Sequence, residues 1–283
     1  INFFERYGEG GLRIKNKEYK NPLFSIITVV YNGEKYLEKT IESVIKQKFK
    51  NFEYIVIDGD SIDGTKDIIN QNLDIISNYV SEKDSGIYDA INKGVSLASG
   101  KYIGVLNAGD KFTPDGLEII NKYLFNDEHD FIFGSVMKKV IRYGYRKNRI
   151  LWNFDFYSSH SSGFFIKNES HKIVGLYNLK YPISADYDFF YRMIVKEKMK
   201  GISTKKDELI GIWKLGTSYS SRWPFIKHLE EETLIRIDNK QNIFFVFVIF
   251  FIHFVKNLKK IDHENKIKLF FNLFVEIFKK RNS

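Results

Sequence analysis

FSIITVVYNGEKYLEKTIESVIKQKFKNFEYIVIDGD, residues 24–60, contains a strand, a helix and a second strand in order. Residues 24–30 form an apolar, β-branched run, which is typical of a strand covered on both faces. The apolar residues of segment 35–48 recur at helical spacing, and residues 54–57 return to a strand pattern. We therefore expect a parallel strand–helix–strand unit at the start of the fold.

The alternation continues beyond this unit. The pattern predicts helices over 66–77 and 86–98, strands over 79–82 and 101–106, and a helix that begins near Pro114. This rhythm indicates an open, mostly parallel α/β sheet with helices on its faces. After residue 125 the rhythm loosens. Segment 131–144 is typical of a longer strand pair, and segment 186–199 of an amphipathic helix. The residues that this second helix turns inward are expected to be Phe189, Phe190, Met193 and Ile194.

The composition fits a globular protein with one large core, because 43% of the 283 residues are hydrophobic and 28% are charged. The chain has no cysteine, which excludes disulfides and thiolate chemistry. Residues 1–20 carry charges where a signal peptide needs an apolar run, so we expect the protein to be located in the cytoplasm.

The formal charge of +9 is concentrated near the end of the sequence. Residues 240–283 hold most of it, beside segments rich in Phe and Ile, which favours a membrane surface over nucleic acid. The apolar run 243–255 would span only about 20 Å as a helix, against about 30 Å of hydrocarbon. Segment 266–281 has the stripe of a helix lying in a lipid interface. The alternative is a helical hairpin packed on the domain or on a second subunit of a homo-oligomer.

Polar residues follow each predicted strand, where ligands collect in open α/β sheets. Four such corners stand out, and their residues are Thr28, Tyr31 and Asn32; Asp58, Asp60 and Asp63; Asp84, Asp89 and Asn92; and Asn107 and Asp110. Any single one is explained by a helix N-cap or an Asx turn, and for Asp63 that explanation is preferred. Four converging on one edge of a sheet indicate a ligand site, in which the first corner faces a planar base.

The sequence contains no GxGxxG after a strand and no GxxxxGK[ST], which disfavours dinucleotide oxidoreductases and P-loop NTPases. Acidic corners instead suggest that a divalent cation meets the charge of a diphosphate, while carboxylates accept hydrogen bonds from a base or a ribose.

Three stretches make the sequence similar to a known family: SIITVVYNGEKYLEKTIESVIKQKFKNFEYIVIDGDSIDGT, SEKDSGIYDAINKGVSLASGKYIGVLNAGD and ADYDFFYR. They resemble family 2 glycosyltransferases of the GT-A fold, of the kind that builds bacterial polysaccharides. The resemblance runs from about residue 21 to 220. It implies a nucleotide-sugar donor, usually UDP-linked, and single displacement at the anomeric carbon with inversion. It also implies a nucleotide-binding half (21–125) and an acceptor half (126–220). Outside this range lie an N-terminal extension (1–20) and a basic, hydrophobic helical segment (221–283), which the pattern described above assigns to membrane association or oligomerisation.

The resemblance also implies roles for individual residues. Thr28 and Tyr31 match the first-strand contacts to the nucleotide, Asp58 matches the uracil-binding aspartate, and Asp84 matches a further base contact. The metal-binding DxD motif of the family falls on residues 107–110.

In that motif, Gly109 occupies the place of the usual metal-binding carboxylate, so Asp110 is the sole acid. Asn107 can still bind a ribose or a metal, and Mg²⁺ commonly needs only one or two carboxylates. We therefore expect Mn²⁺ or Mg²⁺ at Asp110, in a weakened site. Leaving-group stabilisation by Lys or Arg stays open.

Asp186 matches the catalytic acid position of the family, at the start of a helix. A sugar hydroxyl is a poor nucleophile until a positioned carboxylate takes its proton, and the helix N-terminus tends to keep that carboxylate ionised. An N-cap is the other explanation for Asp186, and Asp188 is the second candidate for the base. His160 matches a histidine near the diphosphate or the acceptor. Segment 213–218 corresponds to one that closes over the site in relatives.

These residues predict an inverting glycosyltransferase that acts on a saccharide acceptor, lipid-linked, in cell-surface polysaccharide biosynthesis at the cytoplasmic membrane face. The alternative is a degenerate member of the fold that binds a nucleotide sugar or scaffolds a membrane assembly. A nucleotidyltransferase would need a loop rich in Gly, Arg or Lys after the first strand, and YNGEKY is not one.

Overall fold

The computed structural model describes residues 9–12, 21–126, 128–152, 159–214 and 223–258, which form two sheets covered by helices. The larger sheet contains β1 (Glu9–Gly10), β2 (Phe24–Val30), β3 (Phe52–Asp58), β4 (Asn78–Ser81), β5 (Tyr102–Val105), β7 (Phe131–Phe133), β10 (Phe164–Lys167) and β11 (Gly201–Ser203). The smaller sheet contains β6 (Lys111–Phe112), β8 (Ser135–Met137), β9 (Ile141–Arg142) and β12 (Leu209–Ile212).

The helices of the described ranges are α1 (Leu37–Ile45), α2 (Thr65–Gln71), α3 (Ile87–Leu97), α4 (Gly116–Leu124), α5 (Arg149–Trp152), α6 (Asn168–Val174), α7 (Ala185–Tyr191), α8 (Phe225–Asp238) and α9 (Ile243–Lys256). A π-helical turn, Arg192–Lys196, continues α7.

The larger sheet has the strand order β1-β4-β3-β2-β5-β10-β7-β11. Strands β4, β3, β2 and β5 are mutually parallel, so their carboxyl ends meet at one edge. Strand β2 lies at the centre of this group, and all seven of its residues are buried. Its β-branched run is therefore explained by packing on both faces, and each fully buried aliphatic side chain contributes about 1.5–3 kcal/mol.

Alternate residues of β2 point to two cores. Ile27 and Val29 pack with α3 and α7 residues on one face, whereas Phe24 and Ile26 pack with α1 and α4 residues on the other. The three-layer arrangement confirms the predicted α/β class with a mostly parallel sheet. It also brings the loops after β2, β3, β4 and β5 to the same edge.

Two predictions of the second half need correction in detail. Segment 131–144 contains an antiparallel pair, β8 with β9, but β7 lies in the larger sheet beside β10 and β11. The chain changes sheets at Gly134, where an added Cβ would lie 2.0 Å from the Ile210 side chain. The predicted helix over 186–199 is α-helical only to Tyr191. Its four inward residues are fully buried, as expected.

The last described helices, α8 and α9, pack on each other through Leu229, Val246 and Phe250. The remaining side of α9 is apolar and exposed, and its exposed residues include Phe244, Phe247, Phe251 and Val255. None of the helices in the described part of the chain combines the length and hydropathy needed to cross a bilayer. Segment 266–281 and most of the extension 1–20 lie outside the described residues.

Candidate active site

The loops after β2 and β5 form one side of a cavity of about 520 Å³. Its other sides come from the start of α3, the ends of the smaller sheet, residues 159–161 and the start of α7. The predicted site residues that line it are Tyr31, Asn32, Asp84, Asn107, Asp110, His160 and Asp186. The sheet therefore brings together residues that are up to 155 positions apart in the sequence (186 − 31).

Asp60, Asp63, Asp89 and Asn92 of the predicted corners do not line this cavity, and neither do three residues with predicted roles in binding or catalysis. Thr28 is fully buried, and its hydroxyl accepts a hydrogen bond from the Tyr54 hydroxyl at 3.0 Å. Asp58 is also fully buried, and it accepts hydrogen bonds from Ser61 and from the Ser81 hydroxyl, at 2.6 Å for the latter. A buried carboxylate needs hydrogen-bond donors around it, and Ser61 and Ser81 supply them. These hydrogen bonds connect the end of β3 to the next loop and to β4.

The third of them, Asp188, holds elements together. One of its oxygens accepts a hydrogen bond from Arg192 Nε at 2.9 Å, and the other accepts one from Asn239 Nδ2 at 2.9 Å. The residue is 3% exposed. Asp188 thus anchors α7 to the end of α8, and it faces away from the cavity that Asp186 lines.

Asn32 shapes the first loop through its backbone and side chain. Its φ of 50° lies in the left-handed region, its N–H donates to Ser61 Oγ at 2.7 Å, and its Oδ1 accepts from the Ile62 N–H at 3.0 Å. The Tyr31 ring beside it is 64% exposed. An added Cβ at Gly59 would lie 3.4 Å from the Tyr31 ring and 2.5 Å from Asp84 Oδ2. The Tyr31 ring and the Asp84 carboxylate therefore both lie close to the Gly59 backbone, which has no side chain between them.

Asp84 is partly buried, and burial is the main reason that its pKa is raised. Its Oδ1 accepts a hydrogen bond from the Gly86 N–H at 2.9 Å. The ring of Tyr31 supplies a flat face and Asp84 supplies an acceptor. This pair is suited to a base that stacks on one group and donates a hydrogen bond to the other.

The loop over residues 107–110 is held by Thr40 of α1. The Thr40 hydroxyl donates to the Asp110 carbonyl at 2.9 Å and accepts from the Gly109 N–H at 2.8 Å. Gly109 has a φ of 102°, which side chains with a Cβ rarely adopt. The absence of a carboxylate at position 109 is therefore matched by a backbone shape that requires glycine.

Two buried oxygens of this loop make no hydrogen bond within the described residues, Asn107 Oδ1 and Asp110 Oδ2. Asp110 Oδ1 accepts from the Lys214 N–H at 2.9 Å. Burial raises the pKa of Asp110 to about 6, against the lowering effects of the Ser161 hydroxyl, the Lys214 amide and the Lys138 charge.

A carboxylate oxygen and an amide oxygen without partners are suitable donors for a hard divalent cation. The described residues contain no group of three or more His, Cys, Asp or Glu arranged around one such point. The donor set therefore fits Mg²⁺ or Mn²⁺ only if phosphate oxygens and waters complete the coordination, which is common for Mg²⁺.

Asp186 is the second residue of α7, and its Oδ1 accepts from the Tyr187 N–H at 2.9 Å. The charge of Asp186 acts on four neighbouring groups, Tyr88, His160, Tyr177 and Glu232. Burial, assisted by the Asp186 charge, raises the pKa of Tyr88, so its hydroxyl stays protonated. Burial lowers the pKa of His160, whose Nε2 lies 2.8 Å from the Tyr177 hydroxyl. A carboxylate that lies beside the rings of Tyr88 and His160 at a cavity wall can accept a proton from a bound hydroxyl.

A family model described as "Glycosyl transferase family 2" matches residues 25–199, which is more than half of the chain. The chain belongs to glycosyl transferase family 2. This match confirms the family and the enzyme class that were expected from the sequence. The matched range also contains every residue of the predicted site.

Curated relatives of this family 2 glycosyltransferase include the PGL/p-HBAD biosynthesis glycosyltransferase of Mycobacterium bovis (strain BCG / Pasteur 1173P2). It is 32% identical over 180 residues, which cover 60% of this chain and 69% of the relative. TuaG of Bacillus subtilis, a protein assigned to teichuronic acid biosynthesis, is 40% identical over 100 residues, covering 34% of this chain and 40% of TuaG.

Two solved structures share the fold. S. aureus TarS 1-349 in complex with UDP has a TM-score of 0.59 at 16% identity, covering 80% of this chain and 69% of TarS 1-349. The Pyrobaculum calidifontis mannosyltransferase PcManGT, in complex with GDP-Man and Mn²⁺, has a TM-score of 0.61 at 13% identity, covering 92% of this chain and 82% of that one. The predicted GT-A fold is thereby confirmed.

Four residues that line the cavity were not predicted from the sequence: Tyr36, Tyr88, Lys138 and Ser161. Segment 213–218 was predicted to close over the site. Its Trp213 lines the cavity and its Lys214 contacts Asp110, whereas residues 215–218 lie outside the described residues. No local signal marks Lys138, because its place depends on the pairing of β8 with β12.

Proposed function

We propose that this enzyme is an inverting glycosyltransferase that moves a sugar from a nucleotide diphosphate sugar, UDP-linked, to a hydroxyl of a lipid-linked saccharide. The observation that carries this proposal is the single cavity lined by Tyr31, Asp84, Asp110 and Asp186. One end offers an aromatic ring with a carboxylate, and other walls offer a cation-binding loop and a second carboxylate. A nucleoside, a diphosphate and an acceptor alcohol need these three features.

In this mechanism, Tyr31 stacks on the base and Asp84 accepts a hydrogen bond from it. Asp186 accepts the proton of the acceptor hydroxyl while that oxygen attacks the anomeric carbon from the face opposite the leaving group, which inverts the configuration. Asp110 and Asn107 would hold a divalent cation, Mn²⁺ or Mg²⁺, which when bound neutralises charge on the diphosphate. His160, kept neutral by burial, lies beside Asp186 and orients the acceptor side of the cavity.

The names of the relatives support an acceptor on a cell-surface glycan or glycolipid, because they refer to PGL/p-HBAD and teichuronic acid biosynthesis. The UDP and UDP-GlcNAc complexes of TarS support a UDP-linked donor. The exposed apolar face of α9 and the basic residues 240–283 support a peripheral position on the cytoplasmic face of the membrane.

The proposed function is tested by donor binding and turnover together. A thermal-shift screen of UDP-, GDP-, dTDP- and CMP-linked sugars with Mn²⁺ should give the largest stabilisation for a UDP-linked sugar, because a ligand of the folded state raises the melting temperature. Hydrolysis of that donor is then measured for the wild type, for Asp186→Asn and for a control at exposed Asp74, Asp74→Asn.

Asp186→Asn should keep the thermal shift and lose about a hundredfold or more in turnover, whereas Asp74→Asn should match the wild type. If no nucleotide sugar stabilises the wild type, the proposed function is wrong. Binding without turnover by the wild type, with or without an added saccharide acceptor, would favour a degenerate nucleotide-sugar binder. Unchanged turnover in Asp186→Asn would place the base elsewhere.

A further inference from the structure

The charge of the cavity is unfavourable for the donor that we propose. Among the described residues that line it, Asp84, Asp110 and Asp186 bring negative charge and Lys138 brings positive charge. A nucleotide diphosphate sugar adds a doubly charged diphosphate. Like charges repel each other more strongly in a partly buried site than in water, so the diphosphate needs cationic partners.

The loop that would hold a metal supplies few of the ligands. Position 109 is glycine with a φ of 102°, and the unpartnered donors are one carboxylate oxygen and one amide oxygen. A cation with these two protein ligands is held less tightly than one held by two carboxylates, so its site is filled less completely. This shortfall raises the question of where a further positive charge comes from.

Lys138 directly follows β8, and its position is set by the smaller sheet. The Lys138 N–H donates to the Val140 carbonyl at 3.1 Å, and the Trp213 N–H donates to the Met137 carbonyl at 2.8 Å. The Lys138 ammonium lies 3.7 Å from the centroid of the Trp213 ring. An aromatic face attracts an ammonium group without cancelling its charge. The lysine is thus held at the cavity wall as a cation.

The same part of the cavity contains the 107–110 loop. Trp213 precedes Lys214, whose N–H donates to Asp110 Oδ1, and the charge of Lys138 acts to lower the pKa of Asp110. A diphosphate that contacts Asp110 through a cation therefore lies close to the Lys138 ammonium as well.

We propose that Lys138, held against Trp213, binds the diphosphate of the donor and stabilises the charge of the leaving group. In the transfer step the bond from the anomeric carbon to the β-phosphate oxygen breaks with both electrons staying on that oxygen. The acceptor oxygen forms the new bond, and its proton goes to Asp186. Lys138 keeps its protons and donates hydrogen bonds to the phosphate. This inference rests on the proposed function and adds a metal-independent part to its electrostatics.

The test compares UDP with uridine, because only UDP carries the diphosphate. Calorimetric affinities are measured in EDTA and in Mn²⁺ for the wild type, Lys138→Met, Lys138→Arg and a control at the exposed neighbour, Lys139→Met. Lys138→Met should weaken UDP binding tenfold or more in EDTA and leave uridine binding unchanged. Lys138→Arg should retain more UDP affinity than Lys138→Met, and Lys139→Met should match the wild type.

UDP affinity of Lys138→Met within twofold of the wild type would overturn the inference and leave the proposed function intact. An Lys138→Arg variant that binds UDP as weakly as Lys138→Met would also overturn the inference. Packing on Trp213, rather than charge, would then explain the lost UDP affinity. Failure of the wild type to bind UDP at all would instead contradict the proposed function. Melting temperatures of all variants establish that folded protein is compared, and Lys138→Gln replaces Lys138→Met if the latter does not fold.

Discussion

The carboxylate of Glu231 accepts a hydrogen bond of 2.8 Å from the backbone N–H of Ser184. The same oxygen accepts a second hydrogen bond, at 3.0 Å, from the N–H of Ile183. These two residues precede α7, which carries Asp186 at its second position. Glu231 belongs to α8, which lies after the range 25–199 matched by the family model. A helix beyond the family domain therefore positions the turn that presents the proposed base.

Glu231 is a positioning residue, and its loss should affect turnover more than donor binding. Glu231→Ala leaves two buried N–H groups without an acceptor, which costs about 1–3 kcal/mol of stability and lets the start of α7 move. We expect kcat to fall about tenfold or more with KM for the donor unchanged, and Glu231→Gln to recover part of the loss.

The matched control is Glu230→Gln, because the Glu230 carboxylate pairs with Lys227 through a surface contact of 2.8 Å. Its kinetics should equal those of the wild type. Equal losses in kcat and in donor affinity for Glu231→Ala would indicate general unfolding of the site and would argue against a positioning role.

The sequence was sufficient to predict the β2–α1–β3 unit and the edge at which the site lies. Hydrophobic periodicity carries that information, because burial on both faces of β2 imposes it residue by residue. The sequence did not separate Tyr31 and Asp84, which line the cavity, from Thr28 and Asp58, which do not. That distinction depends on which face of a strand or loop each side chain occupies.

The local sequence pattern also did not predict which residues reach the site from distant segments of the chain. Lys138 reaches the cavity through the pairing of β8 with β12, and Glu231 reaches Ser184 across 47 positions of sequence. Neither residue lies in a periodic pattern or a motif that predicts its contact with the site. Such long-range pairings follow from the packed structure as a whole.

Gly109 should be required for the shape of the 107–110 loop. Gly109→Ala places a Cβ on a backbone with a φ of 102°, so we expect a loss of about 1–3 kcal/mol of stability and weaker Mn²⁺ binding in the presence of UDP by calorimetry. Gly144→Ala is the matched control, since Gly144 has a φ of 84° and no atom within 4 Å of an added Cβ. It should lose stability and keep Mn²⁺ affinity. Tighter Mn²⁺ binding by Gly109→Asp would contradict this reasoning.

Buried His171 should make the protein sensitive to mild acid. Burial, assisted by the Arg192 charge, lowers the pKa of His171 from 6.5 to about 4, and its ring packs on Tyr177 and Phe189. As the pH falls below 6.5, the unfolded chain takes up a proton that the folded chain does not, so stability declines until the pH nears 4.

This single group should remove about 2 kcal/mol of unfolding free energy between pH 7 and pH 5. His171→Phe keeps a ring in the same space and removes the titrating group. Urea unfolding of both proteins at the two pH values measures the difference, and the decline should be smaller by about that amount in the variant. An identical decline in both proteins would mean that His171 does not contribute.

The exposed apolar face of α9 should bind lipid. Phe247 and Phe251 are 42% and 50% exposed and lie one helical turn apart, while Val246 and Phe250 on the other side pack against α8. Burial of each exposed phenyl ring in a bilayer interface contributes about 1–2 kcal/mol. The double variant Phe247→Ser/Phe251→Ser should therefore bind vesicles that contain phosphatidylglycerol at least tenfold more weakly in a sedimentation assay.

The control Phe125→Ser removes a ring that is 80% exposed at the end of α4, and it should bind as the wild type does. Binding should also weaken as NaCl is raised, because lysines beside the apolar face attract the anionic headgroups. Equal sedimentation of the double variant and the wild type would exclude α9 from lipid contact and would favour a protein partner for this face.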